Sequence, residues 1–189
     1  MQNIKNFTLY ENPDYSLTTI ESTVTPLLLR SECGQDWYDC QRLFADNTVK
    51  IAYDSRGIIR SVVDKPVPQR GNIYAVSMLF PLNLSVTEIA VDDYPEGVKL
   101  DGTWKFDGER VCQDTDSVSA KNLAANIARR DRYLIDAIRL ISTIQCSAAV
   151  GNPRDGDSSN LLALQQYVDQ LRDVNISHPD WPPAPALTR

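Results

Sequence analysis

A single histidine, four cysteines and the lack of any long apolar run set the first limits on what this 189-residue chain does. Its only imidazole, His178, sits in a proline-rich tail, so a Cys-His nucleophilic pair has no ready partner. Cys33, Cys40, Cys112 and Cys146 show none of the C-x-x-C spacings that zinc sites use, and no metal is expected. They read as free thiols of a reducing cytosol, although the spacing also permits a Cys33–Cys40 disulfide. No glycine-rich phosphate loop occurs, and no cofactor is expected. No stretch approaches the ~18 apolar residues of a membrane span, and the opening MQNIKNFTLYENPDYS lacks the apolar heart of a signal peptide. The chain is therefore expected to stay in the cytoplasm where it is made, without membrane insertion. Positive charge is scarce: the net charge is −6, and only RRDR at 129–132 is locally basic. A general nucleic-acid binder, which needs clustered Lys and Arg, is disfavoured.

What is present fits an ordinary folded protein, with 42% apolar and 23% charged residues. In TVKIAYDSRGIIRSVV, Val49, Ile51 and Tyr53 alternate before Asp54-Ser55-Arg56-Gly57, and Ile58 to Val63 follow. That spacing predicts a β-hairpin, with Asp54 opening the turn and Gly57 supplying a positive φ. LDGTWKFDGERVC predicts a second, turning at Asp107-Gly108. The proline-punctuated KPVPQRGNIYAVSMLFP between them reads as a long connection into another strand. From Ser117 the period becomes helical, with Ile127, Leu134 and Ile141 seven apart and Ile138 and Ile144 widening the stripe. GNPRDGDSS breaks it, and Leu161, Leu164, Val168 and Leu171 then keep a/d spacing. SHPDWPPAPALTR closes the chain as an extended proline-rich tail anchored by Trp181.

The fold class is thus α+β. A small β-rich domain of hairpins (33–115) precedes an α-helical hairpin or coiled-coil-like region (116–175) and a proline-rich tail (176–189). Residues 1–32, with turn formers Asn12-Pro13-Asp14 and a β-prone run from Leu17 to Leu29, form a separate N-terminal segment. Ordering the second helix costs roughly 1–2 kcal/mol per residue. Each of its few large apolar side chains returns about 1.5–3 kcal/mol when buried. That helix must pack on the first, on a second copy, or on a client.

The stretch QDWYDCQRLF (35–44) sets two carboxylates, Asp36 and Asp39, beside a tryptophan and a tyrosine. Opposed acid and base carboxyls need about 5–9.5 Å across a cleft, which three-residue spacing in one turn rarely provides. Asp36 better fits the cap of a short helix from Trp37 to Phe44. No enzymatic activity is expected. Trp37, Tyr38, Tyr53, Trp104 and Trp181 are the candidate partner-binding residues, because Trp and Tyr concentrate where protein surfaces meet. The competing reading places them in the core.

GQDWYDCQRLFADNTVKIAYDSRGIIRSVV, MLFPLNLSVTEI and DGTWKFDGERV, in this order, resemble the successive blocks of the tail fibre assembly chaperones of tailed phages and prophages. YVDQLRDVNISHPDWPPAP is similar to that family's closing helix and its Trp-Pro-x-x-Pro-type tail. The resemblance spans most of residues 33–183. It implies a non-enzymatic protein of the bacterial host cytoplasm that assists folding or trimerisation of a receptor-binding tail fibre through the fibre's C-terminal region. It leaves open self-association into a homo-oligomer. A second reading makes the chain a permanent virion subunit at the fibre tip that contacts host surface glycans.

Overall fold

The computed structural model describes residues 1–11, 17–18, 23–24 and 27–188. The Asn12-Pro13-Asp14 turn and residues 19–22 and 25–26 of the β-prone run after it lie outside the described residues. The elements in chain order are β1 (Asn3–Tyr10), β2 (Leu17–Thr18), β3 (Thr23–Val24), β4 (Leu28–Arg30) and α1 (Trp37–Cys40). There follow β5 (Thr48–Tyr53), β6 (Ile59–Val63), β7 (Leu84–Ala90), β8 (Trp104–Phe106), β9 (Val111–Gln113), α2 (Thr115–Ala149) and α3 (Asp157–Asp173). The two long helices follow all the strands, as expected for α+β. The chain divides into a unit of residues 1–117 and a unit of residues 118–189.

In the first unit a five-stranded antiparallel sheet has the order β4-β1-β7-β5-β6. Residues 3–10 and 28–30, read from sequence as part of a separate segment, supply two of its strands. The reason is visible in NIKNFTLY. Ile4 and Phe7 are three apart, which breaks strand alternation, yet both are buried in the same cluster. Asn6 adopts φ 53° and the register with β7 shifts between Ile4 and Phe7, so a bulge turns both side chains to one face. A second register shift, between Ala52 and Tyr53, does the same on β6: Ile59 and Val62 pack on one face and Val63 on the other.

Both faces of the sheet are covered, so β5 is buried at five consecutive positions rather than at alternate ones. One face carries Ile4, Phe7, Leu29, Ala52 and Val86 beneath Trp37, Cys40, Phe44, Val76 and Leu79. The other carries Val49, Ile51, Tyr53 and Ile89 beneath Phe106 and Val111 of the second hairpin. Double coverage forces Lys50 inside, at 1% exposure. Its ammonium donates to the carbonyls of Ala45 and, at 2.8 Å, of Thr48. Glu88 accepts Ala45 N–H (2.8 Å), the Thr48 hydroxyl (3.0 Å) and Gln2 N–H (2.8 Å). Burial pushes the Lys50 ammonium below its usual range, opposed by the carboxylates of Glu88 and Asp46.

Both predicted hairpins form. Asp54 accepts the N–H groups of Arg56 and Ile58 through Oδ1 (2.9 and 3.0 Å), and Gly57 sits at φ 83°. The second hairpin lies against this turn, with Phe106 N–H donating to the Gly57 carbonyl at 2.8 Å. A Cβ on residue 57 would collide with the Phe106 carbonyl oxygen. Asp114 then opens α2, accepting the Ser117 N–H (3.1 Å) and hydroxyl (2.6 Å) through Oδ2 while Oδ1 accepts the Lys105 ammonium at 2.6 Å.

In the second unit α3 packs on α2 through Leu164, Tyr167 and Leu171 against Ala137, with Leu134, Ile141 and Ile144 beside them. Leu134 and Ile141 of the predicted stripe face this seam. Ile127 and Ile138 are exposed. After a turn closed by His178 N–H to the Asn175 carbonyl (3.1 Å), residues 179–188 return along the hairpin as an extended strap, with Trp181 joining the cluster.

Two outcomes follow. Gly57→Ala combines a positive φ with a backbone collision, and is expected to lower unfolding stability by about 1–3 kcal/mol, read as a drop in the denaturant midpoint without a change in slope. Asp114 has its carboxyl held down at about 2, first by the hydrogen bond from Lys105 and then by those from Ser117. A depressed carboxyl stabilises the fold fully above the usual carboxylate range and loses that contribution as pH falls through its folded value. Asp114→Asn should therefore melt below the wild type at pH 6, and the gap should close between about pH 4 and pH 2. A gap that stays constant across that window would refute the ionic role of Asp114.

Candidate functional site

The corner QDWYDC is built around one carboxylate. Asp36 has extended backbone (φ −69°, ψ 141°), and its Oδ1 accepts the N–H groups of Tyr38 and Asp39 at 2.8 and 3.2 Å, capping α1 as its spacing predicts. Its Oδ2 accepts the Tyr10 hydroxyl at 2.7 Å, and the Arg30 guanidinium lies 3.9 Å from the Tyr10 ring centre. The hydrogen bond to Asp36 raises the Tyr10 hydroxyl above its usual range. With both oxygens engaged by the fold, Asp36 serves the corner. Beneath it Trp37 lies edge-on to Phe7 (5.0 Å) and Phe44 (6.4 Å).

The five candidate aromatics part company. Trp37 and Tyr53 belong to the core: Trp37 is 1% exposed, and Tyr53 is buried with its hydroxyl donating to Asn3 Oδ1 at 2.8 Å. Tyr38 stands at the surface, 53% exposed, its hydroxyl donating to the Leu27 carbonyl at 3.2 Å. Trp104 is half-buried at the rim of the second hairpin. Trp181, in the other unit, packs edge-on to Tyr133 at 5.8 Å. The cysteines are all free; burial pushes the Cys40 thiol up to about 11, which keeps it protonated and inert.

A surface that the spacing of motifs does not single out lies in MLFPL, residues 78–82. Leu79 and Pro81 point into the core, whereas Met78 and Phe80 are 64% and 46% exposed and Leu82 is more than a third exposed. A turn closed by Met78 N–H to the Ala75 carbonyl (3.0 Å) begins the segment. Asn83, at φ 59°, ends it by donating its N–H to the Phe7 carbonyl at 2.7 Å. The backbone is thus fixed, and three large apolar side chains project from alternate positions. The signal is present in the sequence, because both phases of a period-two segment are apolar. A surface loop needs only one.

The same unit also holds a polar cleft of about 710 Å³, where the turns at 54–57 and 107–108 meet Asn3, Asn6, Asn83 and Lys105. Tyr53 and Phe106, with ring centres 5.2 Å apart, form part of its wall. Among the described residues no group of three or more His, Cys, Asp or Glu side chains could hold a metal ion, and no helix is long and apolar enough to cross a membrane.

Comparison with known proteins gives this architecture its context. Over 185 residues the chain is 24% identical to the tail fiber assembly protein U of Escherichia phage Mu, covering 98% of both chains. Over 187 residues it is 24% identical to a probable tail fiber assembly protein of Escherichia phage P2, again covering 98% of each. Residues 39–186 match the family described as Caudovirales tail fibre assembly protein, lambda gpK. With that span covering most of both units, the chain belongs to the tail fibre assembly proteins of tailed phages, a family of assembly proteins whose partner is a phage tail fibre.

Proposed function

We propose that this protein is a chaperone that acts in the host cytoplasm without catalysis, binding the C-terminal region of its tail fibre and assisting the fibre to fold and trimerise. The observation that carries the proposal is the fixed apolar ridge of Met78, Phe80 and Leu82 on a unit whose own core is complete. Trimeric fibres depend on non-local β pairing, so they fold slowly and expose apolar edges that a rigid apolar partner can cover. Tyr38 and Trp104 add aromatic surface on the same unit, and Trp181 does so on the other. Ile127, Ile135 and Ile138, exposed along α2, are the side chains that self-association would bury.

A second reading keeps the protein on the fibre tip in the virion, in contact with host glycans. The polar cleft favours it, since amide, carboxylate and ammonium groups over aromatic side chains suit a polyhydroxylated ligand. Mass spectrometry of purified phage separates the readings by whether the protein is present in stoichiometric amount.

Co-expression with the neighbouring fibre gene is expected to yield soluble, SDS-resistant fibre trimer only when this protein is present. Equal trimer yield without it would sink the chaperone reading. The triple variant Met78→Ser, Phe80→Ser, Leu82→Ser should fold with stability within about 0.5 kcal/mol per site of wild type, as exposed substitutions do, yet lose fibre trimer. Undiminished trimer yield would remove the ridge from the interface.

A further inference from the structure

Helix α3 begins with an arrangement that a helical hairpin by itself does not require. Asn160, buried in its first turn, turns its whole carboxamide to one residue of the tail. Its Nδ2 donates to the Thr188 carbonyl at 2.9 Å, and its Oδ1 accepts from the Thr188 N–H and hydroxyl, each at 3.0 Å. The carboxamide thus holds both main-chain groups of Thr188 and its hydroxyl at once. Gly156 lies beside it at φ 83°, and the space its Cβ would take is filled by the Thr188 side chain.

The other end of the strap is held differently. Trp181 stands edge-on to Tyr133, at an interplanar angle of 89°, with the Arg129 guanidinium 5.1 Å from its ring centre. Asn126 Nδ2 donates to the Ile176 carbonyl at 3.0 Å, in the turn that leads into the strap. Between these fastenings, Pro182 to Leu187 make no hydrogen bond among the described residues, and Pro183, Ala184 and Ala186 are exposed. Extended chain advances ~3.1 Å per residue against 1.5 Å in a helix, which lets so short a strap run the length of the hairpin. A groove of about 520 Å³ stays open where the strap meets the helices, walled by Ala137, Leu164 and Tyr167 on one side and by Trp181, Pro185 and Leu187 of the strap on the other.

We propose that the groove between α2 and α3 is a binding site for extended, proline-rich peptide, and that residues 181–188 are its resident and displaceable ligand. The occupant is this strap in cis, or the same sequence supplied in trans. The site has the parts of such a groove: an aromatic and cationic seat for a tryptophan, a track for residues lacking N–H donors, and a main-chain clamp at the far end. Proline-rich chain suits it because its extended form is largely preset before binding. The inference stands apart from the fibre-binding role and does not depend on it.

The probe is a synthetic peptide of residues 179–189, added to the full-length chain and to a full-length variant whose own strap is disabled by Trp181→Ala and Thr188→Pro. Those changes remove the anchor ring and the clamped N–H but leave every helical residue in place. The tethered strap competes at millimolar effective concentration, so the disabled variant should bind the peptide at least about tenfold more tightly than wild type. Asn160→Leu added to that variant should reverse the gain. Hydrogen exchange of α2 and α3 amides monitors the fold in each case. Peptide binding no tighter than in wild type, with helical protection retained, would overturn the proposal. So would loss of that protection in the strap-disabled variant, which would make the strap a fixed third element of the packing.

Discussion

The β5–β7 pair at the centre of the sheet has no solvent face, and the rest of the first unit is arranged by that fact. A sheet buried on both sides needs two covers. The chain supplies one from α1 and the 73–81 connection, and the other from the second hairpin. Each cover is fastened by a polar device at its edge. Asp36 caps α1 and receives Tyr10 from the sheet, while the Gly57 carbonyl receives Phe106 from the hairpin. Lys50 and Glu88 are the cost of such burial, since a strand with two apolar faces leaves its charged residues nowhere to go. They are tolerated because the Ala45 and Thr48 carbonyls satisfy Lys50, and the Ala45 N–H and Thr48 hydroxyl satisfy Glu88.

The same constraint generates the candidate fibre surface. To cover one face, the connection before β7 sends Leu79 and Pro81 inward, and Met78, Phe80 and Leu82 between and beside them are left outward. Nothing in the covering role requires those three to be apolar. Their exposure on a backbone fixed at both ends gives a preorganised surface that loses little conformational freedom on binding.

The second unit solves a different problem. A hairpin with α3 only seventeen residues long buries a modest seam, and helices of that size are marginal without further packing. The strap adds to the seam with little entropic cost, because proline-rich chain is already extended. It does so through its ends, leaving the middle loosely held and the groove beside it open.

Local chemistry is legible in the order of residues alone. Asp54 and Gly57 specify their turn, Asp36 its cap, and the change of period after Ser117 the helices, because each depends on residues a few positions apart. Trp181 as the tail's anchor is legible for the same reason, being the largest apolar side chain in a proline-rich stretch. The aromatic candidates are not, since Trp37 and Tyr53 look the same in sequence whether a cover lies over them or not. Strand β1 is hidden by its bulge: Asn6 at positive φ cancels the alternation by which a strand is recognised. The pairing of Asn160 with Thr188 spans twenty-eight residues and rests mainly on the main chain of the second partner, so no side-chain pattern announces it. Turns, caps and periods are short-range, so the order of residues is enough to specify them. Which apolar residues are covered depends on the three-dimensional fold, because burial belongs to the chain segments that meet and not to the residue.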